Sequence, residues 1–220
     1  MKNSFITSVL FAILCLSFVN PSSATYIDTV QGSISGGGLI IPGREAGVTF
    51  KTGSSGPFNI TDLKLYLMNE NFSSSLSFTF DVRLRAVGAS PNYFPIGADL
   101  ATTNLTTSTM AANTVALLDF NTLGSLGSYS LNANTNYALV LGNASSSSLA
   151  WKTLNGSPVT SDGFSVLNAS AYNNSVWYNL GQGNWGMAIS GSAIPEPSSF
   201  GLLGIGLGLL AFTNHRKTTA

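Results

Sequence analysis

The sequence predicts an all-β protein: one antiparallel β-sandwich between an N-terminal signal peptide and a C-terminal transmembrane helix. Three observations carry this. Apolar residues recur with the strand period of two, clusters of turn-forming residues punctuate them at short intervals, and no helical stripe of useful length occurs outside the two end segments. Strands with one apolar and one polar face bury themselves by pairing two sheets face to face.

The clearest strand runs from Leu76 to Ala86. Its even positions, Leu76, Phe78, Phe80, Val82, Leu84 and Ala86, are apolar, while Ser77, Thr79, Asp81, Arg83 and Arg85 between them are polar. Leu63, Leu65 and Leu67 alternate in the same way, and Tyr137, Leu139 and Leu141 point one way from their run. Shorter candidates are Val48–Lys51, Thr114–Phe120, Leu149–Lys152, Phe164–Leu167, Ser175–Asn179 and Gly186–Ser190. Turn clusters at Gly53–Pro57, Asn155–Pro158, Ser161–Gly163 and Gly181–Asn184 separate them. No fixed repeat period is present, which argues against a solenoid or propeller.

The ends are of a different character. Lys2, the apolar stretch Phe5–Val19 and the small residues Ser22-Ser23-Ala24 have the order of a secretory signal peptide over residues 1–24, with signal peptidase cutting after Ala24. Cys15 has Leu14 before it, where a lipoprotein box needs a small residue. At the other end, Pro195-Glu196-Pro197 favours an extended, accessible backbone, since each proline fixes φ and lacks a donor. Ser198 or Ser199 suits a helix N-cap, and the uncharged run Phe200–Phe212 follows. At about 1.5 Å per residue that run spans roughly 20 Å, a short anchor against a ~30 Å hydrocarbon core. Arg216 and Lys217 place the C-terminus in the cytoplasm.

Pro-Glu-Pro, a short Gly/Leu-rich span, a few basic residues and the chain end, over Ile194–Lys217, resemble the PEP-CTERM sorting signal of certain Gram-negative bacteria. A plain C-terminal anchor or a buried Gly-rich helix would share the apolar run alone. The resemblance implies recognition at Pro195, Glu196 and Pro197 by an exosortase, a membrane-embedded cysteine protease. The precursor would sit transiently in the inner membrane, and the mature form would reach the cell surface or the extracellular matrix. Ser199 stands where Thr is common in that family, and the basic cluster is thin. In the body, Phe50–Gly53, Phe58–Leu65 and Leu131–Leu141 resemble "choice-of-anchor" ectodomains, which implies a jelly-roll-like sandwich over residues 25–193 and carries no enzymatic role.

Composition narrows the chemistry. Removal of the signal segment removes Cys15, and the only other residue of comparable reactivity, His215, lies in the tail. The body thus lacks a thiol and an imidazole, which excludes thiolate catalysis and a Ser-His-Asp triad there. Charged residues make up 8% of the chain, against ~25% in average domains. Thr25–Ala193 carries six basic and eight acidic residues, so no basic patch exists to bind nucleic acid. No metal or other cofactor is expected, since no calcium-loop spacing occurs.

Two sets of residues remain as candidates. Asp62, Asp81, Asp99 and Asp119 would be the carboxylates of a secreted glycan hydrolase; outward strand positions for Asp62 and Asp81, and loops for Asp99 and Asp162, make them solvated surface groups instead. Trp151, Tyr172, Trp177, Tyr178 and Trp185 would stack on sugar rings in a carbohydrate-binding module, with exopolysaccharide as the partner. Core packing competes with that reading for Trp151, which follows Leu149-Ala150, and for Trp185, which opens an apolar strand. The expectation is a non-enzymatic, exported structural or adhesive protein, of the kind found in a biofilm matrix.

Overall fold

The computed structural model describes residues 24–173, 175–180 and 184–194. Most of the expected signal peptide, the tail from Pro195 with its expected membrane helix, and residues 181–183 of the expected turn cluster lie outside the described residues. Among the described residues no helix is long and apolar enough to cross a membrane.

The chain forms β1 (Ala24–Asp28), β2 (Ile34–Leu39), β3 (Arg44–Lys51), β4 (Phe58–Asn69), β5 (Thr79–Val87), β6 (Pro95–Thr106) and β7 (Thr114–Phe120). A single turn of helix, α1 (Gly124–Ser128), precedes β8 (Asn136–Gly142), β9 (Leu149–Leu154) and β10 (Val159–Thr160). Then come β11 (Ser165–Asn173), β12 (Val176–Asn179), β13 (Asn184–Trp185) and β14 (Met187–Ala193). The strands make two antiparallel sheets. Sheet A has the order β10-β1-β14-β4-β9-β13, with β2 also on β9 and β7 also on β4. Sheet B has the order β12-β11-β3-β8-β5-β6.

Register shows why the period-two pattern produces this fold. In sheet A, Ile27 lies opposite Ile189, Ile189 opposite Leu63, and Leu63 opposite Phe120, so one apolar row crosses four strands. In sheet B, Val48, Leu139 and Leu84 form the matching row across β3, β8 and β5. These rows face each other and, Phe120 apart, are fully buried. At about 1.5–3 kcal/mol per buried large apolar side chain, this face-to-face burial is what holds the fold.

Three differences from expectation have local causes. The strand expected from Leu76 begins at Thr79, because the Phe78 N–H is taken by the Thr107 hydroxyl at 3.0 Å; Leu76 survives as an isolated bridge to Met110. Asp99, expected in a loop, lies in β6. The helical turn α1, not expected at all, buries Leu126 and lays Ser125 against the edge of β6, where its hydroxyl meets both the N–H and the carbonyl of Thr102. One side chain thereby closes an edge position to further strand pairing.

Candidate functional site: the chain ends and the outer face of sheet B

β1 and β14 are antiparallel neighbours, so the chain enters and leaves the sandwich at one pole. Ala24 lies opposite Gly191, and the Thr25 and Ser190 hydroxyls are 3.1 Å apart. On its other side β14 is paired with β4 to its last residue, Ala193 opposite Phe58, and the Ile194 N–H donates to the Pro57 carbonyl at 2.8 Å. The Phe58 ring packs edge-on against Tyr26 and Phe164, with centroids 5.3 and 4.9 Å away. The backbone pairing of the sandwich thus extends to Ile194. Pro195, Glu196 and Pro197 themselves lie outside the described residues.

Residues 193–217 match the model of the PEP-CTERM protein-sorting motif. The match begins on the last residue of β14, so the folded body and the sorting motif abut. This supports an exported exosortase substrate that carries a C-terminal membrane anchor before processing. Among curated proteins none matches the chain.

The late aromatics do not form one platform. Trp151 and Trp185 are 0% and 1% exposed and stack on each other in the core, with centroids 5.2 Å apart. Their indole N–H groups donate to the Gly186 and Ser170 carbonyls at 2.8 and 3.1 Å. Neither presents a face to a ligand, which corrects their place among the stacking candidates. Trp177 and Tyr178 are adjacent on β12 and therefore point to opposite faces of the sheet. Tyr178 is half-exposed. Trp177 lies on the outer face of sheet B, tilted against Tyr172 at 5.2 Å and reaching over Gly47.

That outer face holds a charge network in place of solvated side chains. Asp81, Arg83 and Arg85 alternate with the buried Val82 and Leu84, and β8 and β3 bring Glu45 beside them. Arg83 donates to both Glu45 and Asp81, the latter at 3.0 Å; Arg85 donates to the other Glu45 oxygen at 3.1 Å and to Asp99 at 2.6 Å. Asn104 and Asn143 complete Asp81 at 3.1 and 2.9 Å. Burial pushes the Asp81 carboxyl upward, but bonds from Asn143, Arg83 and Asn104 outweigh it and hold the group below the usual carboxylate range. Asp81 and Asp99 are therefore partners in an ion network, a correction to the picture of solvated acids. The charged residues Asp81, Arg83 and Arg85 at every second position were its one sign in the sequence.

Asp62 and Asp119 meet on the outer face of sheet A. Lys64 pairs with Asp119 at 3.3 Å, and Asp62 hydrogen-bonds to Asp119. Burial, then the bond to Asp119 and its charge, push Asp62 up to about 6, while Asp119 is lowered by that same bond and by Lys64. Carboxyl groups in direct contact leave no space for a sugar ring, whereas hydrolytic pairs stand about 5 Å or more apart. A shallow depression of about 340 Å³ between Ser35, Leu154–Pro158 and Asn184 has its amides engaged already: Asn155 accepts from the Ser33 N–H, and Asn184 donates to the Gly156 carbonyl. Among the described residues no group of three or more potential metal ligands occurs.

Proposed function

We propose that this chain is a non-enzymatic, exported surface or extracellular-matrix protein with a structural or adhesive role. Signal peptidase acts after Ala24, the tail holds the precursor in the inner membrane with its C-terminus in the cytoplasm, and an exosortase recognises Pro195-Glu196-Pro197 and cuts near this motif. The body belongs on this reading with the choice-of-anchor sandwiches. The observation that carries it is the abutment of a sorting motif at 193–217 on a closed sandwich whose last strand ends at Ala193. The body's ionisable clusters support the same reading, since Glu45, Asp81, Arg83, Arg85 and Asp99 are engaged with one another.

The test is Pro195→Ala with Pro197→Ala in a host that has the exosortase. The expected result is accumulation of a larger, membrane-held precursor and loss of the delivered form. Unchanged size and location of the mature protein would overturn the reading.

The tilted Trp177–Tyr172 pair favours a second reading, a carbohydrate-binding face on sheet B that takes exopolysaccharide. Of the three tryptophans only Trp177 is not buried, so a fluorescence titration with polysaccharides reports on it directly. A saturable shift that Trp177→Ala abolishes supports glycan binding; a flat response across a broad polysaccharide panel removes it.

A further inference from the structure

A protease takes its substrate as an extended strand whose backbone donors and acceptors are free to pair with the cleft. The end of β14 is not free. Gly191, Ser192 and Ala193 lie opposite Ile60, Asn59 and Phe58, and the Ile194 N–H is held by Pro57. β1 covers the opposite side, with Thr25 opposite Ser190 and Ile27 opposite Ile189. Detaching Ala193 would disturb a residue with obligations of its own: Phe58 exchanges two backbone bonds with Leu131, each 2.8 Å, and its ring lies between Tyr26 and Phe164. Withdrawing β14 further would uncover Ile189 and Met187, both fully buried between the sheets. The fold therefore resists presentation of any bond upstream of Ile194, and the first proline follows directly.

We propose that the folded sandwich sets the upstream limit of sorting cleavage: the bond cut lies C-terminal to Ile194, so that all of β14 stays in the mature protein. The inference rests on the exosortase reading above and adds the position of the cut. The step breaks one amide bond. The new acyl carbon takes the hydroxyl of water or the nitrogen of an amine acceptor on the surface, and the departing amine takes the proton which that nucleophile gives up. The body needs no refolding afterwards, because the strand pairings of the described residues, Ala24 with Gly191 apart, close within residues 25–193.

Intact mass of the delivered protein, from a host with an active exosortase, tests this. The expected product begins near Thr25, ends at Ile194 or later and lacks Arg216 and Lys217, with a free carboxyl after hydrolysis or an added acceptor mass after aminolysis. A product ending at Ala193 or earlier overturns the inference and leaves exosortase processing standing. A delivered product that still ends at Ala220 overturns the processing reading and the inference with it.

Discussion

Arg83 on β5 reaches over the intervening strand β8 to Glu45 on β3, and the two side chains are only 9% and 13% exposed. Burial alone would weaken the hold of Arg83 on its proton, yet the bonds and charges of Asp81 and Glu45 outweigh it and keep the guanidinium firmly protonated. The pair is tied further to Arg85 and, through Asp81, to Asn104 and Asn143. Glu45→Ala would leave two guanidinium groups in a half-buried site with one carboxylate fewer. A loss of about 3 kcal/mol is expected, since breaking a buried pair strands its partner. Urea unfolding measures it; replacing Glu45 and Arg83 together with apolar residues should cost less than the two single changes combined.

The tryptophans separate cleanly by position. Trp185→Ala removes a buried stacking partner of Trp151 and the bond to the Ser170 carbonyl that joins β13 to sheet B. A loss of about 3–5 kcal/mol is expected from the cavity alone. Trp177→Ala, on the outer face, should cost about 1 kcal/mol or less. Equal losses for the two in thermal or urea unfolding would contradict the placement of Trp177 outside the core.

These contrasts mark what the sequence could and could not disclose. β4, β5, β7 and β8 were legible because each carries three or more alternating apolar residues, and their inward sides are the core rows described above. β2 was not, because Ile-Ser-Gly-Gly-Gly-Leu has no such alternation; its pairing to β9 and the close approach of Gly38 to Trp185 place it instead. β6 was missed for a related reason: it is an edge strand with little apolar inward surface beyond Ala101 and Leu105. The sorting motif was legible because it is read locally, residue after residue. The ion network was not, since Glu45 stands 38 positions from Arg83 and only sheet order joins them.

Asn69 ends β4 as a fully buried amide that ties two turns together. Its Nδ2 group donates to the Ser74, Met110 and Ala111 carbonyls at 3.0, 3.1 and 3.1 Å, and its Oδ1 accepts from the Asn71 N–H at 3.0 Å. Asn69→Ala would leave several buried backbone groups without partners, with an expected loss of about 2–3 kcal/mol. Asn69→Asp keeps the shape but turns an acceptor toward three carbonyls. It should destabilise at least as much at pH 7, and should recover part of that loss as the pH falls and the acid becomes protonated. A pH series of unfolding curves on the two variants separates lost shape from lost donor.

Asp62 gives the protein a pH dependence of opposite sense to that of Asp81 in the ion network. The folded state holds a proton on Asp62 up to about pH 6, whereas the unfolded chain releases it near 3.8. Between these values the folded state binds more protons, so the contribution of Asp62 to stability is fully present below about pH 4 and is lost as the pH rises through 6. Asp119 and Asp81, both lowered, contribute in the other direction, and their share is lost as the pH falls. Asp62→Asn keeps a donor facing Asp119 without the second negative charge. It is therefore expected to raise the urea midpoint at pH 7.5 and to approach the parent at about pH 3, because there Asp62 is largely protonated in both folded and unfolded chains. A midpoint difference that is the same at both pH values would mean that the two carboxyl groups do not share a proton.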